Sequence, residues 1–248
     1  MNVPIVIHEQ SFQKAWAKAI MTLKDMKWSG WNLIVQVDNC SMIQEKNHNV
    51  MEKYAKQHGL IGQNQVSYTI FPYKLYKEGV GRERFYKYYW RYFEKTRHME
   101  HSGWGTYFER MIRYVSGNKT IDQLGSIIDN INNRDKTFQA AYTMLIPYPH
   151  RDSNKMMGAP CLNYVTVQVE NNNVYDKQIN LLAVYRNHDF TERAYGNYYG
   201  LCNLLNYIAN ETNAIAGNLT CISSHAYVPN YKKELASIAE GILNNEYV

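Results

Sequence analysis

Of the four cysteines in this 248-residue chain, Cys161 sits where a thiol could react. It lies in Gly158-Ala-Pro-Cys161-Leu-Asn-Tyr164, a turn that feeds a strand-like run. The thiolate, not the thiol, is the nucleophile, so such a cysteine needs a positive partner. Arg186, in Tyr185-Arg186-Asn187-His188-Asp189, closes the next strand-like run and supplies that charge if the two strands end on one side. Without such a partner, a solitary cysteine packs as a small buried hydrophobe. His225 and Tyr227, in Ser223-Ser-His225-Ala-Tyr227, are two residues apart on a third run. Side chains alternate along a strand, so both project from one face. The pair either offers a ring nitrogen and a phenol to one ligand or satisfies itself half-buried.

The elements that must position these groups are legible from periodicity. Phe12, Trp16, Ala19, Ile20 and Leu23 fall at helical spacing within residues 10–27, and Leu33 to Val37 is strand-like. The rings Phe85, Tyr88, Tyr89, Tyr92 and Phe93 fall at helical spacing among Arg82, Arg84, Lys87 and Arg91. That stretch reads either as a core-facing stripe with a wet basic face or as a stacking platform for single-stranded nucleic acid; the spacing favours the stripe. Ile121, Leu124, Ile128 and Ile131 form another helical stripe. Further on, residues 162–170 alternate with Val165, Val167 and Val169 on one face, and residues 178–186 and 219–228 are two more strands. Helices are expected over 197–212, through Leu201, Leu204, Leu205 and Ile208, and over 230–244, through Leu235, Ile238 and Ile242. Long strands mixed with helices, without strict alternation, predict an α+β architecture in one domain spanning residues 1–248.

Composition narrows the function classes. Hydrophobic residues make up 45% and charged residues 20%, which excludes a disordered chain. Twenty-seven Lys and Arg against 22 Asp and Glu give +5, with the excess concentrated in residues 74–97. This balance favours a phosphate-bearing ligand and is too weak for a dedicated nucleic-acid protein, so no nucleic-acid partner is expected. The 22 tyrosines suit half-buried rings whose hydroxyls reach polar groups. No run approaches a membrane span and no signal-peptide pattern opens the chain, so no membrane partner is expected. Cys40, Cys161, Cys202 and Cys221 show no CxxC pairing, which predicts a reduced cytoplasmic setting and no zinc site.

Taken in order, these residues resemble the catalytic half of thymidylate synthase and its relatives, the pyrimidine hydroxymethylases. The motifs are Pro160-Cys161 opening a strand, Arg186-Asn187-His188-Asp189 closing the next, Asn197 eight residues beyond Asp189, and His225-Ala-Tyr227. Ile121-Asp122-Gln123-Leu124 is similar to the family's helix upstream of the nucleophile. The resemblance covers residues 121–228; residues 1–111 carry no assignable motif. It implies a twisted mixed sheet flanked by helices, a homodimer formed through the sheet face, a pyrimidine nucleoside monophosphate as substrate, and 5,10-methylenetetrahydrofolate as one-carbon donor. It further implies that Cys161 adds to C6 of the pyrimidine while Arg186 binds the phosphate and helps keep the thiol ionised. Asn187 stands where the family has a phosphate-binding Ser, Asn197 reads the base edge, His225 and Tyr227 hold the sugar hydroxyl, and Asp189 orients the pocket and contacts the pterin. An Asn amide at 197 suits uracil, whereas an Asp there would suit cytosine. The alternative is a nucleotide-binding relative that has lost folate chemistry.

Several positions depart from the family's pattern. Leu162 replaces the His after the nucleophile, Tyr185 the Gln before the Arg, and Ser223 an Asp before the His-x-Tyr. The paired arginines that a neighbouring subunit lends to the phosphate fall at Phe138 and Gln139, with Arg134 or Arg151 as substitutes. Glu83 and Glu109 are both candidates for the general base, and Trp104-Gly105 takes the place of a Tyr-Gly pair. Few residues follow Tyr227, so the long tail that shuts out water is not expected, which favours a hydroxymethyl over a methyl product.

Overall fold

The computed structural model describes residues 3–96, 103–133, 137–153, 155, 158–171 and 177–247. The apolar strands assemble into one seven-stranded mixed sheet. Its strands are β1 (Ile5–Glu9), β2 (Ser29–Val37), β5 (Thr143–Leu145), β6 (Leu162–Asn171), β7 (Lys177–Tyr185), β8 (His188–Asp189) and β9 (Ile215–Tyr227). The order is β1-β2-β9-β7-β6-β5, with β8 also paired to β9. A separate short hairpin joins β3 (Tyr114–Ser116) to β4 (Lys119–Ile121). β1 lies parallel to β2, and β7 parallel to β9. Parallel neighbours need a crossover, and helices supply both: α1 (Phe12–Asp25) for the first pair and α8 (Ala194–Glu211) for the second.

The expected helical stripes form the buried faces. Phe12, Trp16, Ala19, Ile20 and Leu23 of α1 are fully buried, as are Leu201, Leu204, Leu205 and Ile208 of α8. On the sheet, Val165, Val167 and Val169 point into the same core as Leu33, Val35, Leu181, Ala183, Leu219 and Cys221. The alternate residues Ile34, Leu182, Val184 and Ile222 face the other way and are half-exposed. The closing helix α9 (Lys232–Leu243) packs through Leu235, Ile238 and Ile242, mainly against α1.

Two stripes differ from expectation. In α4 (Arg82–Thr96), Phe85, Tyr89 and Phe93 are buried, but Tyr88 and Tyr92 are exposed. The buried arc is centred on Tyr89, which leaves Tyr88 to take a hydrogen bond from Arg84 Nε at 3.0 Å and Tyr92 to pack edge-on against Tyr68. Ile121 is exposed and belongs to β4, because Asp122 accepts from the Gly125 amide at 2.8 Å and starts α6 (Gln123–Asn133) after it. Sequence periodicity also left unassigned β1, β5, α2 (Glu45–Gln57), α3 (Gln63–Ile70), α5 (Tyr107–Ile112) and the one-turn α7 (Pro149–Asp152).

Helix α8 carries Asn197 in its first turn, and two glycines set its seat on α3. A Cβ at Gly196 would lie 2.8 Å from the Gln63 carbonyl oxygen, and one at Gly200 would lie 2.7 Å from that of Ser67. Backbone oxygens cannot move aside as a flexible side chain can. Gly196→Ala is therefore expected to destabilise the protein by about 1–3 kcal/mol, seen as a lower urea midpoint at unchanged slope; an unchanged midpoint would contradict this packing.

Candidate active site

Cys161 precedes β6, and Leu162 pairs with Tyr185 at the end of β7. The Arg186 amide donates to the Cys161 carbonyl at 2.9 Å, so the two strand ends are clamped side by side. A register shift between Leu162 and Tyr164 marks a bulge here, the kind of irregularity that re-aims a side chain. The Arg186 guanidinium exerts the largest favourable charge on the Cys161 thiol, and Arg193 adds a second positive charge. Cys161 is half-buried, while Cys40, Cys202 and Cys221 are fully buried.

Burial outweighs both arginines. It pushes the Cys161 thiol above its ordinary value, with Asp189 adding to the effect and Arg186 and Arg193 opposing it. Arg186 pulls toward the thiolate, and desolvation is the larger effect. Tyr107, at the start of α5, was not singled out from sequence. Its hydroxyl faces the backbone amides of Cys161 and Leu162, and burial raises it to about 12.

His225 and Tyr227 project together, their rings stacked at 5.3 Å and 6°. Both His225 nitrogens have protein partners: Nδ1 meets Asn187 Oδ1 at 2.7 Å and Nε2 meets Ser29 Oγ at 2.9 Å. Asn187 also acts on Tyr227, opposing the rise that burial gives its hydroxyl. Asp189 Oδ1 accepts from the amides of Thr191 at 2.7 Å and Glu192 at 3.3 Å, forming the turn that leads into α8. Burial raises its carboxyl and those amides partly offset the shift.

Asn197, in the first turn of α8, is buried, and its Nδ2 lies 3.1 Å from His188 Nε2. His188 Nδ1 lies 2.9 Å from Ser223 Oγ, and its ring stacks on Tyr185 at 4.0 Å and 5°. Tyr185 is the register partner of Leu162, next to Cys161. Cys161, Arg186, Asn187, Asp189, Asn197, His225 and Tyr227 thus gather at one end of β6, β7 and β9.

The thymidylate synthase family model matches residues 8–247. The chain belongs to the thymidylate synthase family. The match extends well beyond residues 121–228, where the sequence motifs placed it, and takes in the N-terminal half. Among curated proteins the chain is similar to a putative thymidylate synthase of Methanococcoides burtonii, 26% identical over 124 residues, covering 49% of this chain and 53% of that protein. It is also similar to putative thymidylate synthases of Methanosarcina barkeri, 25% identical over 123 residues (49% and 53%), and Methanosarcina mazei, 25% over 138 residues (55% and 58%). The chain spans a little over half the length of the curated relatives it matches.

Other departures from the family's pattern have structural roles. Gln139 is tied to β6: its Oε1 accepts from the Val169 amide at 3.2 Å and its Nε2 donates to the Val169 carbonyl. Arg151 donates to the Gly103 carbonyl at 2.8 Å, and Arg134 lies outside the described residues. Glu109 pairs with Arg113 at 3.0 Å, and Glu83 lines a groove with Arg82, Asp129 and Glu211. Gly105 needs to be glycine, since its φ is +94° and a Cβ would sit 2.1 Å from Glu109 Oε2. Trp104 packs on Arg110, which forms a buried pair with Asp152.

Cys161 is expected to be the first cysteine alkylated by iodoacetamide. Its rate should rise about tenfold per pH unit through neutrality and still be climbing at pH 9, because burial raises the thiol. Arg186→Gln removes an influence that favours the thiolate, so the profile should move to higher pH; a plateau near pH 7 would contradict this ordering.

Proposed function

We propose that this chain transfers a one-carbon unit to C5 of a pyrimidine nucleoside monophosphate such as dUMP, through a covalent adduct between Cys161 and C6. The observation that carries the reading is the placement of the only half-buried cysteine against Arg186, within a family whose chemistry needs a thiolate beside an anion-binding cation. The Cys161 sulfur forms a bond to C6, the C5–C6 π pair moves toward C5 and O4, and C5 becomes the carbon nucleophile. C5 would bond the one-carbon unit as that unit's carbon–nitrogen bond to its donor breaks and the C5 proton passes to water. Addition of water (hydroxymethyl product) or of a hydride from the reduced donor (methyl product) to that carbon would then expel the Cys161 thiolate from C6 and restore the double bond. Charge on O4 grows along this path, so a donor aimed there contributes to rate and not only to binding.

Arg186 and Arg193 both act on Cys161, and together they supply the positive field for the substrate's phosphate that Phe138 and Gln139 cannot. Arg186 is exposed, as a group that must meet an incoming anion should be. Asn187 acts by holding His225 in its stack with Tyr227, and the pair takes the sugar hydroxyl, with His225 exchanging its Ser29 contact for it. The donor set fits a reduced pterin: Asp189 commits Oδ1 to the helix turn, and its carboxylate can accept from pterin N–H groups. When bound, methylenetetrahydrofolate supplies the one-carbon unit. The working unit is one domain that dimerises through the outer sheet face, where Ile34, Leu182, Val184 and Ile222 are half-exposed at the sheet centre.

Tritium release from C5-labelled dUMP tests the chemistry. Release that requires methylenetetrahydrofolate and vanishes in Cys161→Ala, with nucleotide binding retained, is the expected outcome; binding without release from dUMP or dCMP would leave a nucleotide-binding relative. Chromatography of the product separates dTMP from the hydroxymethyl nucleotide. For the dimer, Leu182→Asp combined with Val184→Asp should convert a sedimenting dimer to monomer, and an unchanged sedimentation coefficient would move the interface elsewhere.

A further inference from the structure

His188 is 1% exposed and enclosed by rings, stacked on Tyr185 and set edge-on to Tyr198 at 5.7 Å. Burial lowers it to about 3, so the imidazole is neutral and carries one N–H and one lone pair. Its two nitrogens face two different groups: Nδ1 faces Ser223 Oγ at 2.9 Å and Nε2 faces Asn197 Nδ2 at 3.1 Å. An amide nitrogen can only donate, so Nε2 holds the lone pair and Nδ1–H donates to Ser223. This arrangement occupies one Asn197 N–H and leaves its Oδ1 and second N–H for a ligand. That edge accepts from a ring N3–H and donates to O4, the pattern of a uracil-type base. A cytosine-type base, with an acceptor at N3 and an amino group at C4, needs the amide turned over, which would set Oδ1 against the Nε2 lone pair.

We propose that His188, braced by Ser223, is a positioning residue that fixes the Asn197 amide in the orientation that selects a uracil-type over a cytosine-type pyrimidine. The proposal rests on the nucleotide reading of this site and adds its base preference. Reversing the amide would require moving the imidazole proton from Nδ1 to Nε2 and turning the Ser223 hydroxyl, so three buried groups share one setting.

Two measurements test it on the full-length protein. Nitrogen-15 NMR of the unliganded protein should show His188 as the Nδ1–H tautomer, with Nε2 unprotonated; the opposite tautomer overturns the proposal whatever the protein binds. His188→Phe keeps a ring to stack on Tyr185 and removes both nitrogens. Calorimetry with dUMP and dCMP should show a wild-type preference for dUMP that falls about tenfold or more in His188→Phe, at a circular dichroism spectrum matching wild type. An undiminished preference in that variant overturns the role of His188 while leaving the nucleotide reading intact. Wild-type protein that binds neither nucleotide would sink the functional reading and the base preference with it.

Discussion

The site depends on one backbone hydrogen bond, from the Arg186 amide to the Cys161 carbonyl at 2.9 Å. It closes the β6–β7 ladder at the point where both strands run out, so a cysteine and an arginine distant in sequence become neighbours. Strand ends are where backbone groups lose their ladder partners, and side chains there are fixed by the sheet yet open to a ligand. The parallel β7–β9 pairing then brings Ser223 level with Tyr185, while β8 sets His188 against Ala226 and Asp189 against Tyr227. Three strands therefore deliver the thiol, the cation and the His–Tyr pair to one edge, and α8 adds Asn197 from above.

Within this frame the electrostatics are a contest between burial and charge. Burial raises the Cys161 thiol against the opposing pull of two arginines. His188 is driven the other way, to a neutral ring, by the same exclusion of water. A neutral imidazole can brace an amide, whereas a charged one would present two donors and oppose the Asn197 nitrogen. Ser223 and His188, a departure from the family's pattern and a position that carried no role in the sequence, turn out to be partners in one network.

Much of this was legible in the residues. The stripes of α1, α8 and α9 and the alternation of β6 are amphipathic patterns that burial dictates, and the order Pro160-Cys161, Arg186, Asp189, Asn197, His225, Tyr227 carried the family. The N-terminal half was harder. α2 and α3 bury polar side chains such as Asn47, Gln63 and Ser67, so their periodicity is blurred, and Gln13 and Gln63 serve as buried hydrogen-bonding residues and not as surface ones. The roles of Tyr107 and His188 were invisible for another reason: each acts through a neighbour remote in sequence. Asn187 is the instructive case. Its amide can donate, as its residue type suggests, yet the fold directs its Oδ1 at His225. Two exposed tyrosines on α4 show the limit of spacing alone, since an arc of rings does not say where its centre lies.

The central claim is that the Cys161 sulfur bonds to C6 of a pyrimidine nucleotide. Mass spectrometry of the protein incubated with 5-fluoro-dUMP and methylenetetrahydrofolate reads that bond directly, because fluorine at C5 cannot leave as a proton and the adduct is trapped. The account predicts a mass increase of nucleotide plus folate, localised by proteolysis to the peptide bearing Cys161. Unmodified protein, or an adduct on any other residue, would contradict it.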